Sequence, residues 1–187
     1  MRHSPDLTGA FVLLEPGAPR PGPSQGEAWR LHDAGMVMST LPPPDAMASV
    51  VSGVTETMLG LTFKAAAGGQ PWNELVWRAA VLPIPGARPL TVGLSSDQPG
   101  CTMLAAKMFQ LEPGEVADDM LSDALCELVN MTAGLLKSSL KLEQALGLPR
   151  IVPPGQAPVP VPPRPTNNVV LRAEKVGLVL WVFEGIV

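Results

Sequence analysis

Beginning at residue 45, apolar side chains recur every three or four positions, at Met47, Val50, Val51, Val54, Met58 and Leu61. This spacing predicts an amphipathic helix, with Asp45 as its N-cap and Gly60 near its end. The period then shortens. Residues 61–65 have strand character, and over 74–84 Leu75, Trp77, Ala79 and Val81 alternate with polar or small neighbours, as on a half-buried strand. Pro85 and Gly86 predict a turn, and 89–94 a further short strand, so this stretch reads as an antiparallel meander. A shorter helix is expected over 101–110, broken by Pro113 and Gly114. The longest helix is expected from Glu115 to about Ala145, stopped by Gly147 and Pro149. Two apolar runs, 169–173 and 178–183, flank a tight turn at 174–177 and predict a closing hairpin.

Proline marks the segments outside this pattern. Pro5, Pro16, Pro19, Pro21 and Pro23, then Pro42, Pro43 and Pro44, exclude a long helix or central strand from most of residues 1–44. This part reads as a mostly irregular extension, leaving 45–187 as the domain. Residues 153–165 alternate proline with valine and small residues, which favours an extended polyproline-like crossing. A stiff surface crossover is preferred there to a docking motif, because no basic or aromatic cue accompanies the prolines. The expected fold class is α/β in the α+β sense: an antiparallel sheet covered by two long, pseudo-symmetric helices.

Composition narrows the function. With 17 acidic against 13 basic residues and a net charge of −4, the chain has no basic field for a phosphate backbone, so nucleic acid is excluded as the expected partner. The most apolar run, 176–187, is about half the length of a spanning helix and carries Glu184, so no membrane insertion is expected. The apolar stretch 10–14 is too short for a signal-peptide core, and a cytoplasmic location is expected. Cys101 and Cys126 lie in apolar helical patterns without metal or disulfide spacing and read as buried free thiols. His3 and His32 both fall in the extension, so histidine general-base chemistry is not expected of the domain.

On the long helix, Leu121, Leu125, Leu128, Thr132, Leu135 and Ser139 form one face, largely apolar. Asp119, Asp123, Glu127, Asn130, Gly134 and Lys137 form a second, outward stripe. The acidic start, Glu115, Asp118 and Asp119, suits the helix dipole and needs no further role. Asn130 and Gly134 differ. Mid-helix, an asparagine costs roughly 0.5 kcal/mol and a glycine about 1 kcal/mol against alanine. Together they make a flat spot on a rigid helix, where a carboxylate and a carboxamide stand side by side and another surface can approach. Structural accident remains an equal reading of the pattern alone.

The segment DALCELVNMTAGLLKSSL, Asp123 to Leu140, resembles the signature helix of the CheC, CheX and FliY family of chemotaxis phosphatases. That motif is Asp or Ser, three residues, Glu, two residues, Asn, twenty-two residues and Pro. Asp123, Glu127, Asn130 and Pro153 fit it, and Met131, Ala133, Gly134 and Lys137 follow in the CheX style. The likeness extends loosely over 45–187. In this family the first helix is a pseudo-repeat that bears a second site in some members. Ser52 and Glu56 stand at the matching offsets, but Leu59 replaces the asparagine, as in single-site, CheX-like members.

The resemblance implies hydrolysis of the aspartyl-phosphate on a CheY-type response regulator, the expected partner. The regulator supplies the phosphorylated carboxylate, a lysine and Mg2+, so no cofactor or metal of the chain's own is expected. Asn130 is implied to orient the attacking water and Glu127 to pair with the regulator's lysine, Asp123 and Gly134 to meet the partner, and Pro153 to shape the bordering loop. A homodimer in which the C-terminal strand pairs with another subunit is a further implication. Two rivals stand beside this reading. One is a silent module that binds or scaffolds a regulator without hydrolysis. The other is a metal-dependent hydrolase on Asp119, Asp123 and Glu127, disfavoured because these carboxylates spread over about 12 Å of one helix at ~1.5 Å per residue.

Overall fold

The computed structural model describes residues 41–66, 72–152 and 166–186, all within one compact unit spanning Ser39–Val187. The expectations for residues 1–40 and for the crossing 153–165, Pro153 included, lie outside the described residues. The folded unit begins ahead of Asp45: Leu41 is part of the hydrophobic core, and Asn167 Nδ2 donates to the carbonyl of Pro42 at 2.8 Å.

Helix α1 spans Pro44–Leu59, with Pro43 at its N-cap and no side-chain cap. Asp45 is therefore a first-turn residue and not the cap; Pro44, whose φ is already helical, starts the helix instead. The helix leaves through Gly60 in the left-handed region (φ 64°), where glycine pays no Cβ penalty. Strand β1 (Lys64–Ala65) is followed by a 3-10 turn, Trp72–Leu75, then β2 (Arg78–Ile84) and β3 (Leu90–Ser96). The expected long strand over 74–84 is thus split, and only its second part enters the sheet.

Helix α2 (Gln98–Phe109) is capped by Asp97, which accepts from Gly100 N. Helix α3 spans Asp118–Ser139, shorter at both ends than the sequence suggests. Pro113–Glu115 form a 3-10 turn closed by a Glu112/Glu115 capping box. At the other end Lys141 takes φ 53°, and the bonds Leu142 N→Lys137 O (3.0 Å) and Lys141 N→Ser138 O (3.2 Å) make a Schellman stop. With lysine rather than glycine in the left-handed position, nothing local announces that stop. Strands β4 (Arg150–Val152), β5 (Thr166–Ala173) and β6 (Val176–Glu184) complete the chain.

The six strands form one sheet in the order β1-β5-β6-β3-β2-β4, every pair antiparallel. The expected hairpin is β5–β6, joined by a two-residue turn with Glu174 at φ 52°. Because β6 bonds β5 on one side and, over residues 179–184, β3 on the other, it is an interior strand and offers no open edge there for another subunit, contrary to the expectation; the free edges among the described strands are β1 and β4.

Three helices cover one face of the sheet, the shorter α2 joining the two long ones. Met47, Val51 and Val54 of α1, Leu104 of α2 and Leu125, Leu128 and Val129 of α3 share one core with Leu82, Val92, Leu94, Leu178 and Leu180. The opposite face carries a second apolar cluster of Leu75, Ala79, Val81, Val152, Val179, Trp181 and Phe183. Strand β2 is therefore buried on both faces and does not follow the half-buried alternation. Gly93 stands between Val81 and Trp181 in register, and a Cβ there would meet Trp181 Cε3 at 2.9 Å, so its absence admits the indole.

Candidate functional site

Helix α3 is held from beneath by its apolar face: Leu121, Ala124, Leu125, Leu128, Val129, Thr132, Ala133 and Leu136 are buried. Two residues assigned to that face by periodicity, Leu135 (46% exposed) and Ser139 (exposed), lie off it near the helix end. Fixing the inward face fixes the outward one. Asp123 and Glu127 are exposed, and Asn130 and Gly134 are half-buried. At about 100° per residue, these four fall within an arc of roughly 60°, spread over about 16 Å of helix. The structure thus brings together every described residue of the expected site on one outward stripe.

Among the described residues, Asp123, Glu127 and Asn130 have no side-chain hydrogen-bond or ion-pair partner. No contact among the described residues consumes their polar groups. A Cβ on Gly134 would meet only Leu146 Cδ1, at 4.0 Å. Internal packing therefore does not require glycine there, which leaves its helix cost unexplained by the fold itself. Asp119, Asp123 and Glu127 do not converge, and no group of three or more His, Cys, Asp or Glu among the described residues could hold a metal ion.

The matching offsets on α1 have a different fate. Ser52 Oγ donates to the carbonyl of Phe63, tying α1 to the strand segment that follows it. Leu59 is buried in the core and Glu56 is exposed. The serine is structural and the asparagine position is filled by a core leucine, so α1 offers no second copy of the stripe.

One cluster beside α3 has no counterpart in the sequence expectations. Arg78, at the start of β2, donates from Nη1 to the Asp118 carbonyl (2.8 Å) and Ser122 Oγ (2.9 Å), and from Nη2 to Asp118 Oδ1 (2.6 Å). Its guanidinium lies 4.7 Å from the centroid of the Trp77 ring. The first turn of α3 is thereby pinned to the sheet by a charge-assisted fork. Forty residues separate Arg78 from Asp118, so only the lone cation opening an apolar strand could have drawn attention to it.

Of the two thiols, Cys101 is fully buried, as expected, whereas Cys126 is only half-buried. Burial pushes the Cys101 thiol up to about 12 against a partial opposing pull from Arg78. Cys126 is raised by burial and by the Asp123 carboxylate. Both are protonated thiols at neutral pH, unsuited to nucleophilic work.

The family model for the chemotaxis phosphatase CheX matches residues 78–169, a span that contains Asp123, Glu127, Asn130, Gly134 and Pro153. Over these residues the chain belongs to the CheC/CheX family.

Solved members share its fold. A CheX from Desulfovibrio desulfuricans superposes with a TM-score of 0.60 at 15% identity, covering 74% of this chain and 96% of that one. CheX from Borrelia burgdorferi, in a complex with CheY, BeF3 and Mg2+, gives 0.61 at 13% identity, with 75% and 96% covered. A CheC-like chemotactic protein from Shewanella oneidensis gives 0.59 at 16% identity, with 80% and 100% covered. Among curated proteins no sequence matches significantly. Within this CheC/CheX domain, no described helix is long and apolar enough to cross a membrane.

Proposed function

We propose that this CheC/CheX domain hydrolyses the aspartyl-phosphate of a CheY-type response regulator, with Asn130 and Glu127 as its working side chains. The observation that carries this reading is the pair itself: an exposed carboxylate and a half-exposed carboxamide, one turn apart on a rigid helix, neither bonded to a side chain or backbone group among the described residues. The Borrelia relative crystallised with CheY lends the partner.

In the reaction, water attacks phosphorus, the bond between phosphorus and the acyl oxygen breaks, and the products are inorganic phosphate and the free aspartate. Such transfers depend on positioning and charge rather than on covalent help from the protein. The Asn130 carboxamide both donates and accepts hydrogen bonds and does not titrate. Its carbonyl can hold a water hydrogen while its NH2 faces a phosphoryl oxygen, which sets the water in line. Asn130 is not a nucleophile. Glu127 is a carboxylate placed to meet the regulator's active-site lysine, limiting how deeply Asn130 enters. The Mg2+ that offsets phosphoryl charge belongs to the regulator's site. Asp123, one turn before Glu127, extends the contact.

A single titration that follows complex formation and phosphate release together tests this. Hydrolysis by the wild type, with binding but no release in Asn130→Ala, is the expected result. Binding without release in the wild type would make the domain a silent module instead.

A further inference from the structure

Beside the first turns of α3, Trp77, Arg78, Asp118, Ser122, Ile151 and Val152 line a notch of about 340 Å³. The lining is of two kinds. Trp77, 40% exposed, Ile151 and Val152 supply apolar walls, while Asp118 and Ser122 supply oxygen atoms. Arg78 is already engaged by both of those residues, through Asp118 Oδ1 and Ser122 Oγ. The Asp118 side chain is 80% exposed all the same, and Asp119 and Asp123 follow it, exposed, on the same helix. Within the lining Arg78 balances Asp118, and Asp119 and Asp123 leave the helix surface beside the notch acidic.

The volume lies near the lower end of the roughly 300–1,000 Å³ typical of small-molecule pockets, and suits one long side chain inserted from outside. An apolar shaft with a cationic tip matches the walls and the acidic helix surface beside them. Place matters too. Ser122 and Cys126 form the flank of α3 between the core and the stripe, and Asn130 is the stripe residue nearest that flank. A protein seated on Asp123, Glu127 and Asn130 overhangs the notch within about two helical turns.

We infer that the notch receives a lysine or arginine side chain of the docked response regulator, as an anchor separate from the one that meets Glu127. The inference rests on the function proposed above. Arg78 acts in it as a positioning residue, holding the first turn of α3, Ser122 and the Trp77 ring in one arrangement.

Binding to a beryllofluoride-loaded CheY-type regulator from the same organism, with KM and kcat for the phosphorylated form, tests it on Trp77→Ala, which removes a wall, and Asp119→Asn, which removes a charge beside it. Each is expected to raise Kd and KM at least fivefold and leave kcat within twofold, the Asp119→Asn effect shrinking in high salt and the Trp77→Ala effect persisting. Both variants binding within twofold of wild type, with Asn130→Ala inactive, would overturn the notch and leave the phosphatase reading intact. Full activity in Asn130→Ala would overturn that reading instead. Loss of self-association in Trp77→Ala, with regulator binding unchanged, would assign the notch to a second copy of the chain and also overturn the inference. Should Trp77→Ala unfold, Asp119→Asn, at an exposed position, decides alone.

Discussion

Leu59 of α1 and Asn130 of α3 stand at the same offset from a Ser/Asp and a Glu, and the fold turns them opposite ways: Leu59 is 6% exposed in the core, whereas Asn130 is half-buried on an outward stripe. The difference decides how many sites the domain has. Leu59→Asn would place a carboxamide among apolar neighbours rather than at a surface. It is expected to destabilise the domain by about 3 kcal/mol or more and to add no phosphatase activity. Denaturant unfolding with an activity assay checks this; a stable variant with doubled turnover would contradict it.

Gly134 invites the converse test. Alanine there meets open space, with Leu146 at 4.0 Å, and gains about 1 kcal/mol of helix propensity. Gly134→Ala is expected to melt higher than wild type yet show a raised KM for the phosphorylated regulator, since the added methyl stands where the partner approaches. Unchanged KM in a stabilised variant would remove Gly134 from the interface.

Thr132 Oγ1 is buried without a hydrogen-bond partner among the described residues. An unsatisfied buried hydroxyl costs on the order of 1–3 kcal/mol, and valine keeps the branched shape. Thr132→Val is expected to raise stability by about 1 kcal/mol, or roughly 2–4 °C in Tm for a domain of this size, with activity retained because the side chain points away from the stripe. A lower melting temperature would show that the hydroxyl has a partner.

Cys101 gives a pH dependence with a defined sign. Its thiol is raised from 9.0 to about 12 in the fold, chiefly by burial, so above pH 9 the unfolded chain loses this proton before the native one does. The stabilisation is whole below pH 9 and is lost as pH rises toward 12, at up to ~1.4 kcal/mol per pH unit. Urea unfolding at pH 8, 9 and 10 is expected to show this fall in the wild type and a shallower one in Cys101→Ala, the remainder including Cys126. Equal slopes would exclude Cys101 as the source.

The parts legible in the sequence were those governed by local periodicity. The outward stripe of α3 follows from 3.6-residue spacing, and α1, α2 and the β5–β6 hairpin stand where turn residues and apolar runs put them. Ends were less legible. α1 starts one residue ahead of its apparent cap because Pro44 suits the first helical position, and α3 stops at a lysine in a conformation that usually advertises itself as glycine. Long-range order was least so: an apolar run reads the same on a central or an edge strand, so β6 looked available when β3 and β5 enclose it. Strand β4 has only three residues and no alternation to betray it. The Arg78–Asp118 fork joins residues whose proximity exists only once β2 and α3 have packed. Of the site, the stripe that holds Asp123, Glu127, Asn130 and Gly134 was accessible through spacing and its reading as a site through the resemblance of its motif, and the neighbouring notch through neither.

The most direct measurement is the lifetime of a phosphorylated CheY-type regulator from the same organism, alone and with substoichiometric amounts of this domain, using the wild type and Asn130→Ala. The account predicts accelerated, multiple-turnover decay with the wild type and the regulator's own slow decay with Asn130→Ala, although that variant folds and binds. Equal acceleration by both proteins would contradict it.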